Sequence, residues 1–588
     1  MRVLATCLIA FGLFGGTAAL AAGGGTDRDP ASSESAPANA AAPASPAEAR
    51  VQSELQELRE LLLAQGKQFQ EQNEQLKEQL REQQQKVQSL EAQFSVNRGG
   101  PSAALIATAP AAMAIGPAAG LPANAPSGGA EPQKADEAPT AIHIKGITLT
   151  PGGYMAAESA WRQRALSADV NTPFNSIPLP GSSQSHVSEF NASGRQSRIA
   201  MLAEGKLDRV KIGGYYEADF LSAGTTSNGN ESNSYTFRQR QFWAQAAFNS
   251  GWTFTGGQMW SLVTETKKGV DNRTEAPPMV IDSQYNVGFS WARQYGFRVA
   301  RNFNNKVWLA FAVENPQTTF AAHNQSANFL LGTTGNGGGL LNATTNYSFN
   351  AAPDLIFKAA FEPGWGHFEV FGLVSTFRDR VFPNAPSAAG AFNNTKAGGG
   401  VGANARVSFL NKRLDVGLHF LGGSGIGRYG TVGLPDATVH PNGTLALVRS
   451  YQSLGTIEWH APKFDVYANV GGEYAARTAH PTSETTAVGY GSPLFNNSGC
   501  WTETAPGSSG FAPGSLANCA GDTRNVIEGT LGFWYRFYKG PKGTVQWGPQ
   551  YSYITRNTWS GVGSVANPSG QPSGSESMVL TSFRYVLP

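Results

Sequence analysis

Between His143 and Pro588 apolar residues fall at every second position in segment after segment, and tight turns alternate with long polar loops between those segments. From Val545 to Arg556, Val545, Trp547, Tyr551 and Tyr553 share one face while Gln546, Gln550, Ser552 and Arg556 share the other. Leu414, Val416, Leu418 and Phe420 oppose Asp415, Gly417 and His419 in the same way. Ile527, Leu531, Phe533, Tyr535 and Phe537 oppose Glu528, Thr530 and Arg536. A period of two predicts strands with one greasy and one wet face. A soluble sandwich can alternate too, but it needs no asymmetry between its turns.

Here the turns are asymmetric. Tight connections fall at Leu207-Asp208-Arg209, Asn249-Ser250-Gly251, Asn304-Asn305-Lys306, Gly364-Trp365-Gly366, Asn411-Lys412-Arg413, Ala461-Pro462-Lys463 and Gly540-Pro541-Lys542. Long ones run near Trp161 to Ser193, Ser222 to Asn233, Val263 to Ala292, Pro316 to Ala352, Asp379 to Gly398, Ser424 to Asn442, Ala479 to Asp522 and Ser560 to Gly574. Short turns on one side and long loops on the other are the plan of outer-membrane barrels. The fold expected for residues 142–588 is therefore an all-β transmembrane antiparallel barrel of about 16 strands, a size class that leaves a water-filled lumen.

The segments before the barrel set the compartment. Arg2, the apolar stretch Val3 to Leu20 and the small residues Ala19-Leu20-Ala21 read as a signal peptide over residues 1–21. An uncleaved helical anchor is the competing reading, against which stand the small residues at its end and the lack of a positive stop-transfer flank. Residues 22–46, rich in Ala, Ser and Pro, cannot bury enough surface to fold. Residues 47–96 carry Leu55, Leu58, Leu62, Phe69 and Leu76 in heptad register, resumed after a four-residue shift by Leu80, Val87, Leu90 and Phe94. That predicts an α-helical coiled coil in the periplasm, with a single solvated polar helix as the alternative. Residues 97–141, rich in Ala, Pro and Gly, form a linker.

Composition agrees with this plan. Charged residues are 15% of the chain and the mean hydropathy is −0.27, as expected when alternate residues meet lipid. The net charge of +2 says nothing about partners, because what matters is where the charges sit, and no nucleic-acid partner is expected. Cys500 and Cys519 share one long loop, so a local disulfide is expected in an oxidising compartment. The eight histidines are scattered and no CxxC occurs, so neither a metal site nor a cofactor is expected.

Strand parity locates the chemistry. Glu217 and Asp219 are expected inward because Ile212, Tyr216 and Phe220 hold the lipid face. On the next strand Arg238 and Arg240 are expected inward, opposite in parity to Phe237 and Trp243. Arg198, Arg298, Lys358, Arg406, Arg536 and Arg556 come out inward by the same count. A charge on the lipid face near the midplane costs roughly 2–4 kcal/mol, so these residues are candidates to line a channel. Inward cations favour anions, and successive guanidinium groups could pass on a solute with two carboxylates. Alternatively each Arg is tied to a neighbouring acid and stiffens the wall. The loop from Val263 to Ala292 carries Lys267, Lys268, Asp271, Arg273, Glu275 and Pro277-Pro278, and is expected to fold inward and narrow the bore.

Four stretches then carry a resemblance: Arg195-Gln-Ser-Arg-Ile-Ala-Met, Gly213-Gly-Tyr-Tyr-Glu-Ala-Asp-Phe220, Phe237-Arg-Gln-Arg-Gln-Phe242 and Phe254-Thr-Gly-Gly-Gln-Met-Trp-Ser261. Together with the order of signal peptide, coil, linker and barrel, they resemble the DcaP-like trimeric porins of Gram-negative outer membranes. The resemblance implies a homotrimer held through barrel and coil, an inward third loop, and uptake of small anions such as dicarboxylates. The final strand Val579, Thr581, Phe583, Tyr585, Leu587 departs from the usual pattern by ending in Pro588 instead of an aromatic.

Three functional readings compete. The first is a channel for passive uptake of small hydrophilic solutes with anion preference. The second is an envelope-tethering or surface-interaction protein whose barrel is an anchor, with peptidoglycan as a candidate partner. The third is a barrel enzyme acting on lipid. It is disfavoured because no Ser, His and acid fall together on adjacent strands, His419 and His460 each standing alone.

Overall fold

The structure is a computed structural model, and it describes residues 141–222, 236–326, 328–329, 349–503 and 516–588. The signal peptide, Ala/Ser/Pro segment, coiled coil and most of the linker lie outside the described residues. So does part of the loops near 222–233 and 316–352.

Eighteen segments share one antiparallel sheet. Ile142–Ile144 folds back on the first long strand, and Glu189–Ser193 continues the stave of Arg198–Leu207. Sixteen staves therefore make the wall. They are β1 Ile147–Arg162, β2 Arg198–Leu207, β3 Val210–Asp219, β4 Arg238–Phe248, β5 Trp252–Trp260, β6 Arg293–Phe303, β7 Val307–Glu314 and β8 Asp354–Phe361. Then follow β9 Gly366–Val381, β10 Phe392–Phe409, β11 Leu414–Ser424, β12 Arg449–His460, β13 Phe464–Ala475, β14 Thr523–Gly540, β15 Gly543–Thr558 and β16 Ser573–Val586. Each pairs with its neighbour in sequence, and β1 pairs with β16 in the register Tyr154↔Val586 to Arg162↔Met578. Closure leaves no unpaired edge.

Alternation explains which face is which. Phe297, Val401, Leu418 and Leu531 are exposed on the outside while His419, Lys358 and Glu528 are buried inside. The ends next to the tight turns carry an exposed belt of Phe248, Trp252, Phe303, Trp365, Phe409, Trp459 and Phe537. Amphipathic rings of this kind settle at a membrane–water boundary. All seven predicted tight turns separate consecutive strands.

Two sequence expectations are corrected. The loop placed between Asp379 and Gly398 shrinks to residues 382–391, because β9 runs on to Val381 and β10 starts at Phe392. Gly398, placed at the end of that loop, pairs with Ser375 as strand, as Thr395 pairs with Arg378. Trp243 faces inward and is 6% exposed, whereas Phe242 beside it is 57% exposed. The cause is a bulge: Glu217 pairs with Gln241 and Ala218 with Gln239, so Arg240 is an extra residue that reverses parity. Arg238 and Arg240 still face inward, but they do so from the far side of that break.

The inner face is not uniformly wet. Met279, Ile281 and Val287 from the third long loop pack with Phe174, Ile177, Val432 and Leu434 from other loops and with wall residues Tyr467, Trp534, Ile554 and Leu580. These apolar inward positions are covered by inserted loops, so one side of the bore is a dry core. In the loop between β13 and β14, Cys500 and Cys519 form the expected disulfide, with Cα atoms 4.9 Å apart.

Candidate functional site: the inserted loop and the arginine wall

Residues 261–292 leave β5 and return to β6 across the inside of the barrel. The base is closed by Ser261 N–H donating to the Ala292 carbonyl at 2.8 Å. A small hairpin follows, in which Lys267 N–H donates to Thr274 O at 2.7 Å and Ala276 N–H to Glu265 O at 2.8 Å. Its first arm is held by β7 to β10. Leu262 N–H reaches Glu314 at 2.8 Å, Lys358 Nζ donates to Thr264 O at 2.7 Å, and Arg406 Nε donates to Glu265 at 2.9 Å. Its second arm is held by the wall that is remote in sequence. Gly288 N–H donates to Glu473 at 2.9 Å, Val287 N–H to Glu528 at 2.8 Å, and Ile281 N–H to Gln550 at 2.6 Å.

Backbone amides buried away from water need acceptors, and the inward carboxylates of β13 and β14 supply them. Gly288 sits at φ +86, and a Cβ there would lie 2.0 Å from Ser453 O, so the approach of loop to wall requires glycine. Burial acts on the loop's own charges. It pushes the Glu275 carboxyl up to about 7, with Arg298 opposing the shift, and lowers the Lys267 ammonium from its ordinary value. Asp271 is raised by the same desolvation.

The face of the barrel opposite that second arm carries a ladder of guanidinium groups. Arg240 donates from Nε to Glu217 at 2.6 Å, from Nη1 to Asp219 at 2.8 Å and from Nη2 to the Tyr285 hydroxyl of the loop at 3.0 Å. Arg238 grips Asp219 with two bonds, at 2.8 and 2.7 Å, and its side chain remains 33% exposed. Arg198 lies 3.6 Å from Glu217 and over the Tyr154 ring. From the loop, Arg273 stacks over Tyr215, whose hydroxyl donates to Glu217 at 3.0 Å.

The candidate residues thus divide. Arg198, Glu217, Asp219, Arg238 and Arg240 come together with loop residues Arg273 and Tyr285. Arg298, Lys358 and Arg406 lie across the loop and brace it: Arg298 donates to Asn272 at 2.8 Å and Lys358 to Glu369 at 3.0 Å. Arg556 ties loops together through the Ile177 and Gly521 carbonyls at 2.9 and 3.1 Å. Arg536 is held by Asp465 and the carbonyls of Ala461 and Pro462 beside a tight turn. Lys358, Arg406 and Arg536 are thus paired with acids and Arg298 and Arg556 are held by neutral groups, while Arg238 and Arg240 are paired with Glu217 and Asp219.

Three features escaped the sequence reading. Arg293, the first residue of β6, lies over Trp260 at 4.8 Å and Trp291 at 5.1 Å, and its Nη1 is buried with no hydrogen-bond partner. It sits within electrostatic reach of Arg240 and Arg238. Arg584 on β16 pairs with Glu158 on β1 at 2.6 Å, and its phase opposite Phe583 and Tyr585 was a usable signal. The histidines do not stand alone. His419 is 2.7 Å from the Ser290 hydroxyl and bonds Asn404, while His460 is 2.9 Å from Asp465.

Comparison with solved structures follows this geometry. The outer membrane channel DcaP of Acinetobacter baumannii aligns with 76% of this chain and 99% of its own, at 14% identity and a TM-score of 0.51. The barrel has a DcaP-like porin fold. OmpT of Vibrio cholerae (10% identity, 76% and 99% covered, TM-score 0.39) and an anion-selective porin from Comamonas acidovorans (10%, 75% and 100%, 0.38) are also similar. No protein-family model and no curated protein matches the chain. At these identities the likeness to DcaP is one of fold, so the chemistry of the loop and the arginine wall rests on this chain's own residues.

Removing the acceptors tests the loop's placement. In the double variant Glu473→Ala/Glu528→Ala, two buried amides lose partners at a cost of about 1–3 kcal/mol each. The loop is expected to become cleavable by trypsin at Lys267, Lys268 or Arg273 while the native barrel resists. Equal resistance in both proteins would contradict the anchoring described.

Proposed function

We propose that the protein is an outer-membrane porin that lets small hydrophilic solutes pass between the inserted loop and the arginine wall, preferring anions such as dicarboxylates. The observation that carries this reading is the charge imbalance there. Arg198, Arg238, Arg240, Arg273 and Arg293 face Glu217 and Asp219, and Arg293 has no acid partner among the described residues. Guanidinium groups in a narrow low-dielectric passage lower the barrier for anions and bind carboxylates bidentately. Arg238, partly exposed, and Arg293 give a solute with two carboxylates two successive partners.

A homotrimer fits the outer wall. Ala203, Gly205, Gly214, Ala244, Ala246 and Gly256 line a shallow apolar recess of about 600 Å³, which a second wall could occupy closely. The enzyme reading has two geometric candidates among the described residues, Ser290 with His419 and Asn404, and Thr266 with His367 and Glu362, the latter buried at the base of the inserted loop with Thr266 3% exposed. The Ser290 hydroxyl also accepts from Gln452 and the residue is 1% exposed, so an acyl carbon has no approach. The tether reading rests on the coil and differs in one respect, since its barrel need not conduct.

Reversal potentials in planar bilayers separate these. The account expects chloride to be preferred over potassium, and Arg293→Ala to reduce that ratio severalfold; no conductance, or cation preference, would overturn it. A pH series tests the loop. Glu275 holds its proton below about 7 and gains a negative charge as pH rises through that value. Anion preference should therefore fall between pH 6 and 8, and Glu275→Gln should flatten the profile; an identical slope in the variant would remove Glu275 from the passage.

A further inference from the structure

At the tight-turn end of the barrel, four inward side chains from three adjacent strands converge: Asp415 on β11, Glu458 and His460 on β12, and Asp465 on β13. His460 Nδ1 lies 2.9 Å from Asp465 Oδ1, so Nδ1 carries a proton toward that carboxylate, and a metal at Nε2 would displace any proton held there. Nε2 is 3.6 Å from Asp415 Oδ2 and 3.8 Å from Glu458 Oε2. Both separations are too long for hydrogen bonds. Asp415 is fixed from behind by the Ser408 hydroxyl, 2.5 Å from its other oxygen. Glu458, whose side chain is 6% exposed, stands 3.6 Å from Arg406 and receives no hydrogen bond among the described residues.

We propose that Asp415, Glu458 and His460 form a divalent transition-metal site, suited to zinc, at the turn-side mouth of the barrel. One imidazole and two carboxylate donors, all within 4.8 Å of one another, are a ligand set that this class of ion takes. Donors around a tetrahedral zinc lie about 3.3–3.6 Å apart; the two carboxylates already lie 3.6 and 3.8 Å from Nε2, and all three donor atoms lie within 4.8 Å, so binding draws the two carboxylates together. The carboxylate of Asp465 on Nδ1 supplies the carboxylate–histidine–metal arrangement that orients such ligands. Glu265, Asp415, Glu458 and Asp465 face Arg406, Arg536 and Lys267 there, and a metal ion would take the place of the proton shared between His460 and the carboxylates. Three protein ligands leave one position open toward the bore, where water or a passing anion can bind. A filled site would also cross-tie β11 to β12.

The test uses the full-length protein in detergent, treated with a chelator and dialysed. Titration with zinc chloride, followed by calorimetry and by metal analysis after dialysis, should give one zinc per chain. His460→Gln should abolish retention, and Asp465→Asn should weaken it by about 10–100-fold. Heat-modifiable electrophoretic mobility confirms that each variant is folded. No uptake by the unaltered protein, or uptake that survives His460→Gln in a folded barrel, overturns the assignment.

Discussion

A loop can cross the interior of a barrel only if its backbone amides find acceptors there, and this constraint organises the rest of the molecule. Glu473, Glu528 and Gln550 accept from Gly288, Val287 and Ile281 on one side, while Lys358 and Arg406 hold Thr264 and Glu265 on the other. Each such bond is worth only about 1 kcal/mol net, but leaving a buried partner unmade costs more. The loop is therefore held by penalty as much as by attraction. Inward polar residues that a simple pore would leave to water serve as its scaffold.

From that placement the electrostatics follow. Lys358, Arg298 and Arg406 hold the loop, and the other inward arginines, Arg198, Arg238, Arg240 and Arg293, stand on β2 to β6. Tyr285 and Arg273 bring the loop against Arg240 and Tyr215, so the loop's position decides which groups stand beside the arginine wall. The apolar cluster around Met279, Ile281 and Val287 packs the loop against the other side of the wall.

Much of this was legible in the residues and some was not. Period-two alternation and turn asymmetry located sixteen staves and seven tight turns, because a membrane wall imposes parity on every strand. Parity also sent Arg198, Arg298, Lys358 and Arg406 inward. It misled at Trp243, where the Arg240 bulge changes phase without any mark in composition. It missed the polar start of β10, where Asn393, Asn394 and Thr395, residue types that usually signal turns, lie in a strand. Pairing across the bore could not be read at all. That Lys358 braces a loop while Arg293 has no acid partner among the described residues depends on contacts between positions far apart in sequence, as does the meeting of Asp415 with His460.

The central claim, that residues 261–292 lie inside the barrel against its far wall, is tested most directly by an engineered cross-link. Ile281 N–H lies 2.6 Å from the Gln550 side chain, so cysteines placed at 281 and 550 should form a disulfide in high yield within the folded protein, detected by mass spectrometry after digestion. Failure to cross-link, with both thiols open to a bulky water-soluble maleimide, would put the loop outside and contradict the account.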